Sequence, residues 1–543
     1  MIKKFDFKDT DTRVRKYIVP QKIILSQGKI ENSECLLEYR DRQIQLQERD
    51  FMTMNGKSAV LFDFETEFHG GIQISVHKVK GQTNAKMRFC FGESVSEAMS
   101  QIGFKGACND HSARDFTVDI QSYSANEYAN TGYRFLYLEL LDDCVVTVKT
   151  LQGIVVYKPY EYIGSFECSD KRLNEIYDVS AYTCHLCMQN QLWDGIKRDR
   201  LLWIGDMSPE LKTIKYVFGD TPEIIDGLKL SADDAVLPNW INKHPTYSMW
   251  WIINLVEWCE YTNNFEYIDQ MRDYALPLTK QILDNIDKEG YFTAGDFIDW
   301  PSKNKPASRE GTRALTIMCM DACVKLCDRL DDRQLSKKCA DMREFIKGNK
   351  AGCDNLKQIA ALLKLTGIAN EDCDKVLDTG SKGFSTFMSY YILSAMAKVS
   401  SPEDTLNALK EYYGGMLDMG ATTFWEDFDL EWTKNACRID EICPEGKSDI
   451  HADNGAYCYK GLRHSLCHGW ASGPVPFLTE FVLGINLVDG CKVIKLSPNL
   501  ASLDYAKGSI ATPFGKLSVK YTKDKDGNIV TEVDAPKEIV IIK

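Results

Sequence analysis

The N-terminal part of the chain alternates apolar and polar residues over short segments. Examples are the segments 71–79, 87–93, 116–120 and 133–140, which are separated by Gly, Asn and Asp residues. A period of two is typical of strands with one buried face, and a series of short strands is typical of a β-sandwich. We therefore expect an N-terminal β-sandwich domain over residues 1–164.

From residue 165 onward the apolar residues recur at helical spacing instead. The pattern runs through segments such as 171–192, 251–262, 312–330 and 384–399. Apolar positions three and four residues apart predict amphipathic helices, about ten to twelve of them. The joining segments are rich in Trp, Asp and Gly, so we expect paired helices around an axis with these loops gathered at one end.

The last segment returns to the β pattern. Residues 488–543 alternate again, and Asp526-Gly527 is a strong hairpin-turn signal. The sequence thus predicts a multidomain protein in which a helical domain, residues 165–487, is flanked by a β-sandwich on each side. The C-terminal β-sandwich is the smaller of the two.

Composition narrows the class of protein. The chain has 543 residues, of which 44% are hydrophobic and 26% charged, and this is ordinary globular composition. A net charge of −13 disfavours nucleic acid and anionic membranes as partners. No run approaches about 18 apolar residues, so no membrane-spanning helix is expected. The N-terminal stretch MIKKFDFKDTDTR lacks the apolar core of a secretory leader. The 19 scattered cysteines fit a reducing compartment. We expect a cytoplasmic protein.

Four loop-like segments contain most of the candidate catalytic and substrate-binding residues. They are WDGIKRDRLLWIGD (193–206), DFIDWP (296–301), GATTFWEDFD (420–429) and RHSLCHGW (463–470). Any one of them could be a surface loop with solvated charges. Four at the ends of successive helices favour a single pocket with apolar walls and a few converging polar groups. Indole faces and carboxylates together suit a polyhydroxylated sugar.

The first segment resembles the signature Asp-Cys-Pro-x-Arg-Glu-Arg-Leu-Gly-Trp-x-Gly-Asp of glycoside hydrolase family 78, the bacterial α-L-rhamnosidases of the six-hairpin glycosidase superfamily. The matching positions are Asp194, Arg198, Arg200, Leu201, Trp203, Gly205 and Asp206. The segments 420–426 and 463–470 resemble the family's Gly-Ala-Thr-Thr-x-Trp-Glu and late histidine segments. The resemblance implies an (α/α)6 toroid with flanking β domains, and an inverting hydrolase that releases terminal α-L-rhamnose from short rhamnosides.

The resemblance also implies residue roles. Asp199 stands where the family has its general acid, a Glu, and Glu426 stands at the general base. Asp194, Asp206 and His468 fall on positions that hold or orient the sugar, and Trp203 and Trp300 on aromatic walls. Further candidate substrate contacts in the four segments and beside them are Arg198, Trp250, Asp299, Trp425 and Trp470. The departures from the family signature are Asp for Glu at 199, Gly-Ile for Cys-Pro at 195–196, and Leu for Gly at 202.

Inversion requires a carboxylic acid and a carboxylate about 6.5–9.5 Å apart, one on each face of the sugar. Residues 199 and 426 lie on distant loops, which can span such a gap. The acid must keep its proton near neutral pH. Neighbouring carboxylates at 194 and 206 raise the pKa of the acid, whereas the arginines at 198 and 200 lower it. The direction of its net pKa shift therefore stays open. The stretch 434–461 is expected to be an inserted lid.

Two alternatives remain. One is a hydrolase or a lyase for another sugar on the same scaffold, and the other is a catalytically silent sugar-binding protein, which the Asp at 199 suggests. We expect no cofactor and no metal, because Cys184 and Cys187 form an isolated CxxC pair and Cys319, Cys323 and Cys327 form one stripe of a helix. A structural role is favoured for His244. The expected partner is a small oligosaccharide or glycoside, with a homodimer left open.

Overall fold

A computed structural model describes residues 10–39 and 50–542. Residues 1–9 of the N-terminal stretch discussed above lie outside the described residues. In chain order the described part forms strands, then mainly helices, then strands again. None of its helices is both long enough and apolar enough to cross a membrane.

The N-terminal strands form one antiparallel sheet that curls on itself. The strands are β1 (Val14–Ile18), β2 (Lys22–Glu31), β3 (Met52–Lys80), β4 (Asn84–Gly92), β5 (Asp115–Gln121), β6 (Ser124–Leu140) and β7 (Val145–Tyr157), with the short helix α1 (Val95–Met99) after β4. Their order is β1-β7-β3-β6-β4-β5, with β2 on β3. Asn55 and Lys80, near the two ends of the long strand β3, both pair with Val145, so the strand wraps around β7. The predicted strands thus build a curled sheet rather than two separate sheets.

The helices share one hydrophobic core. They are α2 (Lys171–Cys187), α3 (Met207–Val217), α4 (Pro222–Asp234), α5 (Pro245–Thr262), α6 (Glu266–Gln270), α7 (Arg272–Asp284), α8 (Pro306–Arg329), α9 (Arg333–Lys347), α10 (Lys357–Leu365), α11 (Glu371–Leu377), α12 (Ser389–Met396), α13 (Pro402–Asp418) and α14 (Pro474–Phe481). Asp170 caps α2, because its carboxylate accepts the N–H of Arg172 at 2.9 Å. The helix α5 is buried almost all round, which explains its three tryptophans.

Buried thiols belong to this core. All 19 cysteines of the sequence lie in the described residues, and none of them forms a disulfide. Cys184, Cys319, Cys323 and Cys327 are buried in this core, whereas Cys187 is buried in a separate small cluster with Leu186, Ile196 and Cys467. Thiols behave as small hydrophobic groups in such places.

Between α13 and α14 the chain forms two short strand pairs. They are β9 (Ala436–Cys437) with β10 (Ser448–Asp449), and β11 (Gly455–Ala456) with β12 (Tyr459–Lys460). This is the stretch that the sequence marks as an insert. The turn of the second pair carries Tyr457 and Cys458 towards the loops described below.

The C-terminal strands form two small sheets. One contains β13 (Ile485–Asp489), β14 (Val493–Leu496) and β18 (Val540–Ile542), and the other contains β15 (Tyr505–Thr512), β16 (Gly515–Lys523), β17 (Ile529–Asp534) and the early strand β8 (Ser165–Cys168). The turn predicted at Asp526-Gly527 is confirmed between β16 and β17. Because β8 precedes α2 directly, its pairing with β15 ties the start of the helical region to the C-terminal sheet. The domain borders stay predictions.

Candidate active site

A cavity of about 70 Å³ lies where the four tryptophan- and acid-rich segments meet. Each of the four segments contributes to its wall. The residues that line it are Asp194, Arg198, Asp199, Trp203, Asp206, His244, Tyr247, Phe297, Trp300, Glu426, Cys458, His468 and Trp470. Charged groups thus converge between aromatic walls, which is the usual anatomy of a ligand site.

Two hydrogen bonds between Asp194 and Leu201 close the loop between α2 and α3. The backbone N–H groups of Asp194 and Leu201 donate to the Leu201 carbonyl and the Asp194 carboxylate respectively, both at 3.0 Å. Asp199 and Arg200, at the tip between them, adopt left-handed backbone angles, with φ of 53° and 52°. Such angles are uncommon for residues with a side chain and often occur at functional sites. The tip presents Asp199 to the cavity.

The same loop docks on the N-terminal sheet. The N–H of Gly132 donates to the carbonyl of Ile196 at 3.0 Å. A Cβ atom at position 132 would stand 2.5 Å from the Ile196 side chain, so only glycine permits this approach. Arg200 donates to the carbonyls of Asn130 and His111, which belong to the same sheet region.

Arg198 and Glu426 form a buried ion pair in the cavity wall. Both side chains are 4% exposed, and one nitrogen of the guanidinium contacts both carboxylate oxygens. The N–H of Ser465 donates to the same carboxylate at 3.2 Å. Burial raises the pKa of Glu426, but the charges of Arg198, His468 and His464 outweigh burial and hold the pKa below its usual value. Glu426 is therefore ionised at neutral pH.

Asp199 lies beside the same guanidinium. Its carboxylate is 3.3 Å from the other terminal nitrogen of Arg198 and 3.2 Å from Nε2 of His111. His111 comes from the N-terminal region, which contains none of the predicted site residues. Its contact with Asp199 joins residues 88 positions apart, so nothing in the local sequence signals it.

His468, Asp206 and Tyr247 form a hydrogen-bonded group on another wall. Nε2 of His468 lies 3.2 Å from the Asp206 carboxylate, and the Tyr247 hydroxyl donates to that carboxylate at 3.3 Å. Burial lowers the pKa of His468, but the Asp206 hydrogen bond and the charge of Glu426 outweigh burial and raise it overall. Burial raises the pKa of Asp194 well above its usual value. Asp194 can then donate a hydrogen bond, and His468 can carry a positive charge.

Lys197, the neighbour of Arg198, forms ion pairs within a buried acidic cluster. Its ammonium lies 3.1 Å from Glu93 and 3.0 Å from Glu97, and it donates to the carbonyls of Leu462 and His464. The two glutamates and His451 have the spacing of metal ligands. Both nitrogens of His451 already have partners, Ser94 Oγ and the His464 carbonyl, so the lysine supplies the cation that this group binds.

Three predicted substrate contacts lie outside the set of described residues that line the cavity. Trp250 is buried in α5 against Tyr391, and Trp425 packs on Phe428. Asp299 accepts hydrogen bonds from Ser302, Gln358 and Ser385, which use its carboxylate within the fold. These three side chains therefore do not line the cavity, and their contact with substrate stays a prediction. Trp300 and Glu426 line the cavity, while their chain neighbours Asp299 and Trp425 are buried elsewhere in the fold.

Four lining residues were not among the predicted contacts: His244, Tyr247, Phe297 and Cys458. His244, which we favoured as structural, contacts Trp203, Tyr247 and Phe297 with ring centroids 4.8–6.2 Å apart. The clustering of His244 with Tyr247 in the sequence was the available signal. Cys458 enters from the insert, whose neighbouring Tyr457 stacks on Trp300 at 6.1 Å. The insert thus reaches the site, as a lid would.

Residues 161–319 match the family model described as the bacterial alpha-L-rhamnosidase 6 hairpin glycosidase domain. A search of curated proteins finds no match. Among solved structures, the chain is similar to a family 78 rhamnosidase of Bacillus sp. GL1, with a TM-score of 0.75 and 19% identity over 92% of this chain and 54% of that one. It is also similar to a rhamnosidase from Klebsiella oxytoca with rhamnose bound, with a TM-score of 0.67 and 18% identity over 86% of this chain and 96% of that one.

A third similar structure is an α-L-rhamnosidase from Dictyoglumus thermophilum, with a TM-score of 0.72 and 16% identity over 96% of this chain and 58% of that one. The chain therefore spans little more than half the length of two of these three structures. At such identities the likeness shows a shared fold. The resemblance inferred from the motifs is confirmed: over residues 161–319 the chain matches the six-hairpin glycosidase domain of bacterial α-L-rhamnosidases, and it has the fold of the family 78 rhamnosidases.

Proposed function

We propose that the protein is an inverting glycoside hydrolase that releases terminal α-L-rhamnose from short rhamnosides. The observation that carries the proposal is that Asp199 and Glu426 line one cavity and flank one guanidinium group, that of Arg198. The family match over residues 161–319 supports the sugar class. The helices α2 to α14 are then the (α/α)6 toroid that carries the four loops.

In this mechanism Asp199 is the general acid and Glu426 the general base. The Asp199 carboxyl gives its proton to the glycosidic oxygen as the bond from that oxygen to the anomeric carbon breaks. Glu426 takes a proton from a water molecule, whose oxygen forms the new bond on the opposite face of the sugar. The lowered pKa of Glu426 supports this assignment, since a general base must be ionised before the reaction. Arg198 stands between the two carboxylates and contacts both of them.

The remaining lining groups bind and orient the sugar. Asp194 with its raised pKa can donate to a sugar hydroxyl, and the pair of His468 and Asp206 can donate and accept. Trp203, Trp300 and Trp470 supply apolar faces for the C–H groups of the ring. The free thiols support a cytoplasmic setting with imported rhamnosides as substrates. A homodimer, and the absence of nucleic-acid and membrane partners, stay predictions.

A panel of p-nitrophenyl glycosides tests the substrate, with the α-L-rhamnoside as the leading member. We expect turnover of the α-L-rhamnoside, with β-L-rhamnose as the first product in proton NMR spectra. Turnover of a different glycoside alone would reassign the sugar, and an unsaturated uronate product would indicate a lyase.

A catalytically silent sugar-binding protein is the second candidate. Two observations favour it: Asp199 is shorter than the family's glutamate, and both proposed carboxylates already contact basic side chains. In that case calorimetry would show binding of a rhamnoside without turnover, and Asp199→Glu would not restore turnover. Hydrolysis by the unaltered protein would exclude this candidate.

A further inference from the structure

Two cysteines and an aspartate meet in the first part of the insert between α13 and α14. The sulfur atoms of Cys437 and Cys443 and a carboxylate oxygen of Asp449 all lie within 4.8 Å of one another. Cys437 is buried, Cys443 is partly buried, and Asp449 is 9% exposed. None of the three is among the described residues that line the cavity, so the cluster is separate from the candidate active site.

The backbone of the insert brings the three groups together. The strands β9 and β10 pair in parallel, and Cys437 is the register partner of Asp449, so their side chains leave the same face. Cys443 lies in the middle of the loop that joins the two strands. The Asn435 side chain donates to the carbonyl of Gly446 in this loop at 3.0 Å, which folds the loop back on the strands.

Asp449 has a hydrogen-bond partner but no counter-charge. One oxygen of its carboxylate accepts the N–H of His451 at 3.0 Å, which orients the group. In the described part of the chain no lysine or arginine forms an ion pair with it, and the neighbouring Lys105 pairs with Asp453 instead. Carboxylates this well buried usually have a partner charge. The acidic cluster around Lys197 differs, because there an ammonium supplies that charge.

We propose that Cys437, Cys443 and Asp449 bind one zinc ion. Thiolate sulfur and carboxylate oxygen are both zinc ligands, whereas calcium and magnesium prefer sites made of oxygen alone. A water molecule can complete the tetrahedron on the side where Cys443 is partly exposed. Five residues separate each ligand from the next, which matches no common zinc motif, so the sequence by itself points to no metal. The proposal does not depend on the proposed hydrolase.

The zinc ion would hold the first part of the insert in place. The strands β9 and β10 have two residues each, and so short a pair is marginal without further support. An ion bound to both strands and to the loop between them supplies that support, since metal binding stabilises the folded form of its ligands. The same insert carries Tyr457, which stacks on Trp300 at the cavity.

A titration with cobalt(II) and zinc tests the site. The full chain is stripped of metal with a chelator and kept reduced with a phosphine. We expect one equivalent of cobalt to give thiolate-to-metal charge-transfer absorption, and zinc to displace it. Zinc affinity should fall at least about tenfold in Cys443→Ser and in Asp449→Asn, which keeps the acceptor for the His451 N–H. The control Cys108→Ser, at a partly buried cysteine of the N-terminal region, should bind zinc normally.

A cobalt complex without the charge-transfer band, or an unchanged zinc affinity in Cys443→Ser, would overturn the proposal. Limited proteolysis gives a second readout at the same place. Lys447 is exposed in the loop between the two strands, and trypsin cleaves after lysine. Saturating zinc should slow cleavage after Lys447 at least about fivefold in the unaltered protein and leave it unchanged in Cys443→Ser. Zinc that binds to the unaltered protein without slowing this cleavage would lie elsewhere, and the proposed site would be wrong.

Discussion

Arg198 and Glu426 are paired inside the candidate active site, where a guanidinium and a carboxylate that are each 4% exposed share one cavity wall. Glu426 could not act as a base if it were paired with an arginine away from any cavity. Here the pair faces the cavity, and Arg198 also touches Asp199. The arginine thus sets the ionisation of one proposed catalytic group and the position of the other.

Removing the guanidinium should move the pH dependence of the reaction. In Arg198→Met the buried Glu426 loses its main counter-charge, so its pKa should rise. Because the base acts ionised, activity falls as pH drops through that pKa. The acid limb of log(kcat/KM) against pH should therefore shift upward by at least about one pH unit. The control Arg343→Met, which removes an ion pair with Asp321 on the surface, should leave the limb in place. An unmoved limb in Arg198→Met would show that the arginine does not control the base.

His111 should act as a positioning residue for Asp199. Its ring lies 3.2 Å from that carboxylate, at a loop tip whose backbone is already in the left-handed region. We expect His111→Ala to lower kcat on a p-nitrophenyl α-L-rhamnoside about tenfold and to change KM little, because the histidine acts through the acid and not through sugar binding. His111→Gln, which keeps a hydrogen-bond donor, should recover part of the loss.

The matched control for that variant is His77→Ala, a histidine of β3 that packs on Phe51 and Tyr123. It should keep normal kcat. If His111→Ala raises KM and leaves kcat alone, the histidine contacts substrate or shapes its entry, and the positioning role fails.

Lys197 should be a main source of stability between the N-terminal sheet and the helical region. Lys197→Met leaves the fully buried carboxylates of Glu93 and Glu97 without their ammonium partner. Breaking such a buried pair by removing one member costs about 3–5 kcal/mol of unfolding free energy. Lys337→Met removes an exposed pair with Asp341 and should cost less than about 1 kcal/mol. Equal urea midpoints for the two variants would contradict the account.

The sequence predicts local features and the gathering of the loops well. The turn at Asp526-Gly527 and the four segments that meet at the cavity both depend on residue types within a few positions of each other. Which member of a segment faces the cavity is harder to predict. Trp425 and Glu426 are neighbours in the chain, yet packing against Phe428 turns the indole inward while the carboxylate lines the cavity.

Contacts between the N-terminal sheet and the loops could not be predicted from the sequence. His111 meets Asp199, and Glu93 and Glu97 meet Lys197, only after separate folded parts pack together. No spacing rule connects such residues, because their distance along the chain has no fixed relation to their distance in space. The sequence therefore indicates which residues to propose as acid and base, but not the groups that contact them.

The most direct measurement of the central claim is kcat for Glu426→Gln on p-nitrophenyl α-L-rhamnoside. Glutamine keeps the size of the side chain and cannot accept a proton from water, so we expect kcat to fall by about 10²–10⁴-fold while the melting temperature shows a folded protein. Glu480→Gln, at a partly buried glutamate that accepts from Tyr216 and Tyr390, is the control and should keep normal turnover. A Glu426→Gln protein that turns over within about twofold of the unaltered enzyme would contradict the account.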